Sequence, residues 1–273
     1  MRLILNADDL GYSPGVNQAI FDLYACGRLS SASAVVNLPH SPAGLEEAAA
    51  RPGLGLGVHL NLTRGRPCLP AWQVPSLVDR DGAFYGTPIC FARAVAGQVS
   101  PAEVEAESRA QIERALDYGI EIAHLDSHSH WHILPPLQRL LHHLATEYRV
   151  PRVRQADPRR ALVPISLWLA AAPRAPVPRD QRAQPDYLLS LHHWLNGVGE
   201  SPPLFHGQLR RLLGRPEVTA ELVSHPGLAD DPEFPPDTLP ADRRQREIEF
   251  LQSDAFAGWL AEIGAELIGG RAG

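Results

Sequence analysis

A short apolar run followed at once by a capped helical pattern, repeated several times along the chain, is the feature that most limits how this sequence can fold. "LILNADD" (3–9) is an apolar run ending in polar residues, as a buried strand requires. "SPGVNQAIFDLYACGRL" (13–29) then offers Ser13 as a cap, Pro14 at a first helical position, and Val16, Ile20 and Leu23 at helical spacing. The same reading gives strands at 32–38 and 54–62, with a helix at 45–53 between them. A helix at 100–119, a strand at 120–126 and a helix at 135–148 follow. Strands at 152–157 and 219–227, a helix at 241–253 and a last strand at 265–269 complete the series. Strands alternating with helices imply a parallel sheet with crossover helices, which fits an open doubly wound sheet and a closed barrel alike. No G-x-G-x-x-G follows a strand, so dinucleotide binding loses its main support.

Two stretches break the rhythm. Residues 63–99 and 158–216 are rich in Pro and Gly and too long for ordinary connections, so both read as irregular insertions acting as loops or lids. Neither marks a domain boundary, and 273 residues suit one large α/β domain over 1–273.

Composition excludes several chemistries. The chain contains no lysine, so all 25 basic residues are arginine; a lysine Schiff base, a P-loop lysine and a serine–lysine pair are ruled out. A net charge of −6 argues against nucleic acid as a partner. Cys26, Cys68 and Cys90 are odd in number and lack C-x-x-C spacing, which suits free thiols in a reducing compartment. With no signal peptide and no apolar run of membrane-spanning length, the protein is expected to be cytoplasmic. A homodimer is the default expectation for assembly.

Parallel α/β folds place their sites at the C-terminal ends of the strands. Four positions there carry ionisable groups: Asp8 and Asp9, His59, the cluster "HLDSHSHWH" (124–132), and His225. Each has an ordinary structural explanation alone: a turn acid, a core histidine, a polar strand face, a turn histidine before Pro-Gly. Jointly they suggest more. One carboxylate and two imidazoles from different strands leave open positions for water and substrate, as a catalytic metal site needs. Adjacent acids point different ways, so Asp8 and Asp9 can serve separate roles. Alternate side chains of an extended segment lie about 7 Å apart, against metal–nitrogen bonds of about 2 Å. Only part of the cluster can therefore reach one ion. His128, just past the expected strand end, is the choice; His124 should lie deeper, and His130 and His132 farther out, lining a groove.

"NADDLG" (6–11), "GVHLNLTRGRP" (57–67), "HLDSHSHWHILP" (124–135) and "ELVSHPG" (221–227), in this order, resemble the YdjC-like carbohydrate deacetylase family. The resemblance spans about residues 1–269; region 158–216 matches none of its motifs and is where substrate choice would reside. It implies a single-domain distorted (β/α) barrel with parallel strands and long inserted loops. It also implies one divalent metal ion, Mg2+ or Zn2+, held by Asp9, His59 and His128. Asp8 would be the general base, and His225 the acid, a role another cluster histidine could also fill.

The expected activity is metal-assisted removal of an N-acetyl group from an amino sugar, giving acetate. Trp72, Trp131 and Trp194 are candidates to stack on sugar rings. A metal-dependent phosphoesterase, another amidohydrolase, or a non-catalytic sugar- or metal-binding protein would use the same residues.

Overall fold

The computed structural model describes residues 1–154, 161–162, 185–191, 195, 217–234 and 239–269. β1 (Arg2–Leu10) is buried at every position after its first, as a central parallel strand covered on both faces must be. α1 (Pro14–Ala25) starts where expected: Ser13 Oγ accepts the Val16 N–H at 3.3 Å and proline occupies the first turn. β2 (Ser31–Ala34), α2 (Ser41–Ala49), β3 (Gly55–Leu60), α3 (Thr87–Val95), α4 (Pro101–Asp117), β4 (His124–Ser127) and α5 (Pro135–Glu147) follow. β5 (Ala161–Leu162), β6 (Tyr187–Ser190), β7 (Thr219–Ser224), α6 (Ala241–Gln252), α7 (Asp254–Glu262) and β8 (Glu266–Leu267) complete the described elements.

All the described strand pairs are parallel, in the order β4-β3-β2-β1-β7-β6-β5, with β8 beside the first residues of β1. The sheet curls into a half-barrel, the distorted barrel that the alternation and the motifs imply. Leu3, Leu5 and Ala7 of β1 join Ile20, Leu56, Leu125, Leu222, Leu251 and Phe256 in the main core. Among the described residues, no helix is long and apolar enough to cross a membrane, and Cys26, Cys68 and Cys90 are unbridged.

Three expectations need correction. The strand read at 152–157 survives only as a bridge between Val153 and Leu125, with residues 155–157 outside the described set. That bridge still fixes the segment against β4: Leu125 N–H donates to Arg152 O and Arg154 N–H to Leu125 O, both at 3.0 Å. Residues 63–99 are not merely irregular. They carry α3 and bury Val74, Leu77, Val78, Phe84 and Cys90 with Val104 and Trp131 in a second, smaller core. α3 was hard to read because only Cys90 among its residues is buried; Ile89 and Val95 face outward. α7 is absent from the sequence pattern because Ser253, which ends α6, also caps a new helix by accepting the Phe256 N–H at 3.3 Å.

Candidate active site

The end of β1 builds the first half of the site. In a regular strand Asp8 and Asp9 would face opposite sides. Here the β1–β2 register shifts between Ala7 and Leu10, and Asp9 adopts φ 73°, a left-handed conformation uncommon outside glycine. Both carboxylates therefore turn into the same interior, each 1% exposed. Gly11, at φ 95°, completes the turn; a Cβ there would stand 2.5 Å from Val35 O.

Asp9 sits between His128 and Arg244. Its Oδ1 is 3.1 Å from His128 Nδ1, and its Oδ2 accepts from Arg244 Nη2 at 2.7 Å. Burial opposes its charge, but Arg244 and His128 outweigh that and hold it well below the usual carboxylate range. His59, on β3, donates from Nδ1 to Asp126 Oδ1 at 2.8 Å, which directs Nε2 toward Asp8 and Asp9, 3.7 Å from each. Burial would depress His59, yet Asp126, Asp8 and Asp9 together push it up to about 9. His128 lies directly after β4, where the chain leaves the strand for a tight 3₁₀ turn with Ser129 and His130 in left-handed conformations, φ 56° and 53°. That turn ends the strand's alternation and explains why one histidine of the cluster, and not the series, meets Asp9.

One ligand atom from each of Asp9, His59 and His128 lies within 4.8 Å of the others, so the expected triad converges. Asp8, His59 and Asp126 form a second such group. The donors separate the two. Asp8 accepts from Arg154 at both oxygens (2.6 and 2.8 Å), and Asp126 accepts from Ser33, Arg154 and His59 (2.7, 2.7 and 2.8 Å). Both oxygens of each of those carboxylates are taken by donors of the frame, whereas Asp9 spends only Oδ2 on Arg244 and its Oδ1 faces His59 Nε2 and His128 Nδ1. One carboxylate and two imidazoles suit a divalent cation, Zn2+ better than the oxygen-preferring Mg2+, so the first group fits the implied metal.

Asp8 is held down to about 2, since Arg154 and His59 overcome the penalty of burial. His225, past the end of β7, brings Nε2 to 3.9 Å from Asp8 Oδ2, and its backbone N–H donates to Glu247 Oε2 at 2.6 Å. Burial pulls its imidazole down to about 4 against the attraction of Asp8 and Asp9, so it is neutral at pH 7.

The other histidines divide as follows. His124 is deep, as expected, bonded to Ser33 Oγ and Arg152 Nη2, both at 2.9 Å. His132 is not in a groove: it is buried, bonded to Ser127 Oγ at 2.7 Å, and faces Leu60, Leu62 and Leu141. A cleft of about 490 Å³ opens beside the triad, lined by Tyr12, Leu38, His40, Arg64, Phe84 and Glu233. Tyr12 links the two, its ring 5.9 Å from that of His128. Trp131 is buried against Phe91 and cannot stack on a sugar; Trp72 is exposed but outside this cleft, and Trp194 lies outside the described residues.

Sequence reading did not find Asp126, Arg154, Arg244 or Glu247. Two carried a signal. Asp126 alternates with His124 and His128, and Arg152 and Arg154 are two apart in a short extended stretch, so each pair shares a face. Arg244 and Glu247 are hidden among the other charges of α6 and had none.

The sequence pattern of the YdjC-like protein family matches residues 2–262. The chain belongs to the YdjC-like family. A carbohydrate deacetylase of Geobacillus stearothermophilus is 32% identical over 267 residues, 97% of this chain and 95% of that protein. One from Brevibacillus brevis is 41% identical over 151 residues, 55% of this chain and 58% of its relative, so that alignment spans little more than half of either. A crystal structure from Enterococcus faecalis V583, described provisionally as a cellobiose-phosphate cleavage protein, is 28% identical. It superposes with a TM-score of 0.79, covering 98% of this chain and 97% of that one. YdjC-like membership matches the family that the four motifs resemble.

Proposed function

We propose that this YdjC-like protein is a metal-dependent carbohydrate deacetylase that hydrolyses the N-acetyl group of an amino sugar. The convergence of Asp9, His59 and His128 within 4.8 Å, with Asp8 and His225 at its edge, carries this reading. The deacetylases among its relatives support the reaction class.

Asp9, His59 and His128 would hold the ion. A divalent metal there supplies Lewis-acid activation of water and stabilisation of negative charge on the acetyl oxygen. The chain's own groups manage the protons. Asp8 accepts a proton from the attacking water as its oxygen bonds to the acetyl carbon. His225 protonates the amine nitrogen as the C–N bond breaks, leaving acetate and the free amino sugar. His225 begins neutral, so the proton it donates has to come from the turnover itself. Asp8 Oδ2, 3.9 Å from His225 Nε2, is placed to relay it. The Tyr12–Phe84 cleft offers apolar walls and polar rim groups for the sugar. Three unbridged cysteines suit the reducing cytoplasm.

Acetate release from N-acetylated oligosaccharides by Zn2+- or Mg2+-loaded protein tests the reading. Sugar binding without acetate, or hydrolysis of phosphate esters in its place, would overturn it. His225→Asn is expected to lower kcat about 10²–10⁴-fold with bound metal unchanged, measured by acetate assay and metal analysis. Because metal-free His59 is held up to about 9, it carries a proton that a metal must displace. Calorimetry in buffers of different ionisation enthalpy at pH 7–8 should detect release of about one proton per Zn2+ bound.

A further inference from the structure

Arg154 is fully buried, yet its guanidinium hydrogen-bonds three acids, Asp8, Asp126 and Glu221. Nη1 and Nη2 donate to the two oxygens of Asp8 at 2.8 and 2.6 Å. Nη2 also lies 2.7 Å from Asp126 Oδ2, and Nε donates to Glu221 Oε1 at 2.9 Å. Glu221, on β7, is held in turn by Arg152 Nη1 at 3.2 Å. One guanidinium thus joins β1, β4 and β7, and its own backbone is pinned to β4 through Leu125.

We propose that Arg154 is a positioning residue that holds Asp8 and the Asp126–His59 pair in one rigid frame, so that the base and the metal-facing imidazole keep a fixed relation. The proposal rests on the deacetylase reading for its kinetic arm alone. Three observations carry it. The contact to Asp8 uses both oxygens, which fixes the plane of the carboxylate as well as its distance. Asp126 gives one oxygen to Arg154 and Ser33 and the other to His59 Nδ1, so Arg154 bears on the orientation of His59 through a single intermediary. Glu221, bonded to Arg154 Nε and Arg152 Nη1, holds the guanidinium from behind. Charge balance alone would be met by any cation in this place; a planar fork with four donors directed at three acids is needed only if geometry matters.

The decisive experiment is a pair of double-mutant cycles. Arg154→Lys keeps the charge and loses the fork. It is expected to lower kcat at saturating Zn2+ at least tenfold with KM within about threefold, and to cause no further loss in an Asp8→Asn background. Zn2+ titration without substrate gives the second arm: Asp126→Asn and Arg154→Lys should each weaken Zn2+ binding about 10–100-fold, and together no more than Asp126→Asn alone. If Arg154→Lys does not fold, Glu221→Gln replaces it in both cycles, because it loosens Arg154 without touching Asp8. Additive losses in kcat, or unchanged Zn2+ affinity in the folded variants, would show that Arg154 merely neutralises buried acids and would overturn the proposal. Should the wild type release no acetate, the deacetylase reading fails, and the Zn2+ arm still decides the role of Arg154.

Discussion

Asp8→Asn is expected to lower kcat about 10²–10⁴-fold while the protein binds Zn2+ as tightly as the wild type. The two halves of that result come from separate contacts. Asp8 faces Arg154 with both oxygens and is not part of the Asp9–His59–His128 group, so its charge can be removed without taking a ligand away. The change in structure is small. An asparagine still accepts from Asn6 and one arm of Arg154, but its amide nitrogen opposes the other arm, at a cost of about 1–3 kcal/mol for the mismatched buried donors. Arg154 holds Asp8 down to about 2, which makes it a weak base by intrinsic affinity. Its usefulness must come from placement beside the reacting water and His225. Asp8→Glu, with a longer arm and a more basic carboxyl, should consequently be almost as inactive as Asp8→Asn. Wild-type turnover in either variant, measured as acetate release with metal content checked, would remove Asp8 from the mechanism.

Why Asp8 and its neighbour were legible, and Arg154 was not, follows from how each is encoded. The sheet announces itself locally: β1 and α1 need only apolar spacing, a serine and a proline, all adjacent in the chain. The triad could be narrowed because strand ends in a parallel sheet come together, and because a metal's short bonds admit few histidines from one segment. The register shift at Ala7–Leu10 that turns both acids inward depends on pairing with β2, a long-range event no window of sequence contains. Arg154 and Arg244 are cases of the same kind. A buried arginine is readable only from the acids that surround it, and these are scattered along the chain: Asp8 lies 146 and Glu221 67 residues from Arg154, and Asp9 lies 235 from Arg244. His132 went wrong for a local reason: the left-handed pair Ser129–His130 reverses the chain and sends the later imidazole into the apolar side.

Asp9→Asn and Asp9→Ala are both expected to lose Zn2+ binding by at least about 100-fold and to drop acetate release to background, while differing in stability. Asp9 spends one oxygen on the metal-facing side and the other on Arg244, whose side chain is 2% exposed. Removing the carboxylate leaves that guanidinium buried without its counter-charge, a loss of about 3–5 kcal/mol when one member of such a pair is deleted. Asparagine recovers part of this, since its carbonyl oxygen accepts from Arg244 and its side chain tolerates the left-handed backbone at φ 73°. Alanine does neither and adds about 1–2 kcal/mol of backbone strain. With about 2–4 °C of melting temperature per kcal/mol in a domain of this size, metal-free Asp9→Ala should melt at least 8 °C or so below metal-free wild type, and Asp9→Asn between the two. The sign of the pH dependence follows from the depressed carboxyl. The wild-type advantage is complete at pH 7 and is lost only as the pH falls below about 4 and through the folded-state value. His128→Ala supplies the control, because His128 is 19% exposed and pairs with Asp9 at the rim, not in the core. It should lose the metal with little change in metal-free melting temperature. If Asp9→Asn bound Zn2+ within tenfold of wild type, or if His128→Ala kept full affinity, the ion would have to sit elsewhere among these acids and the assignment of ligands would fall.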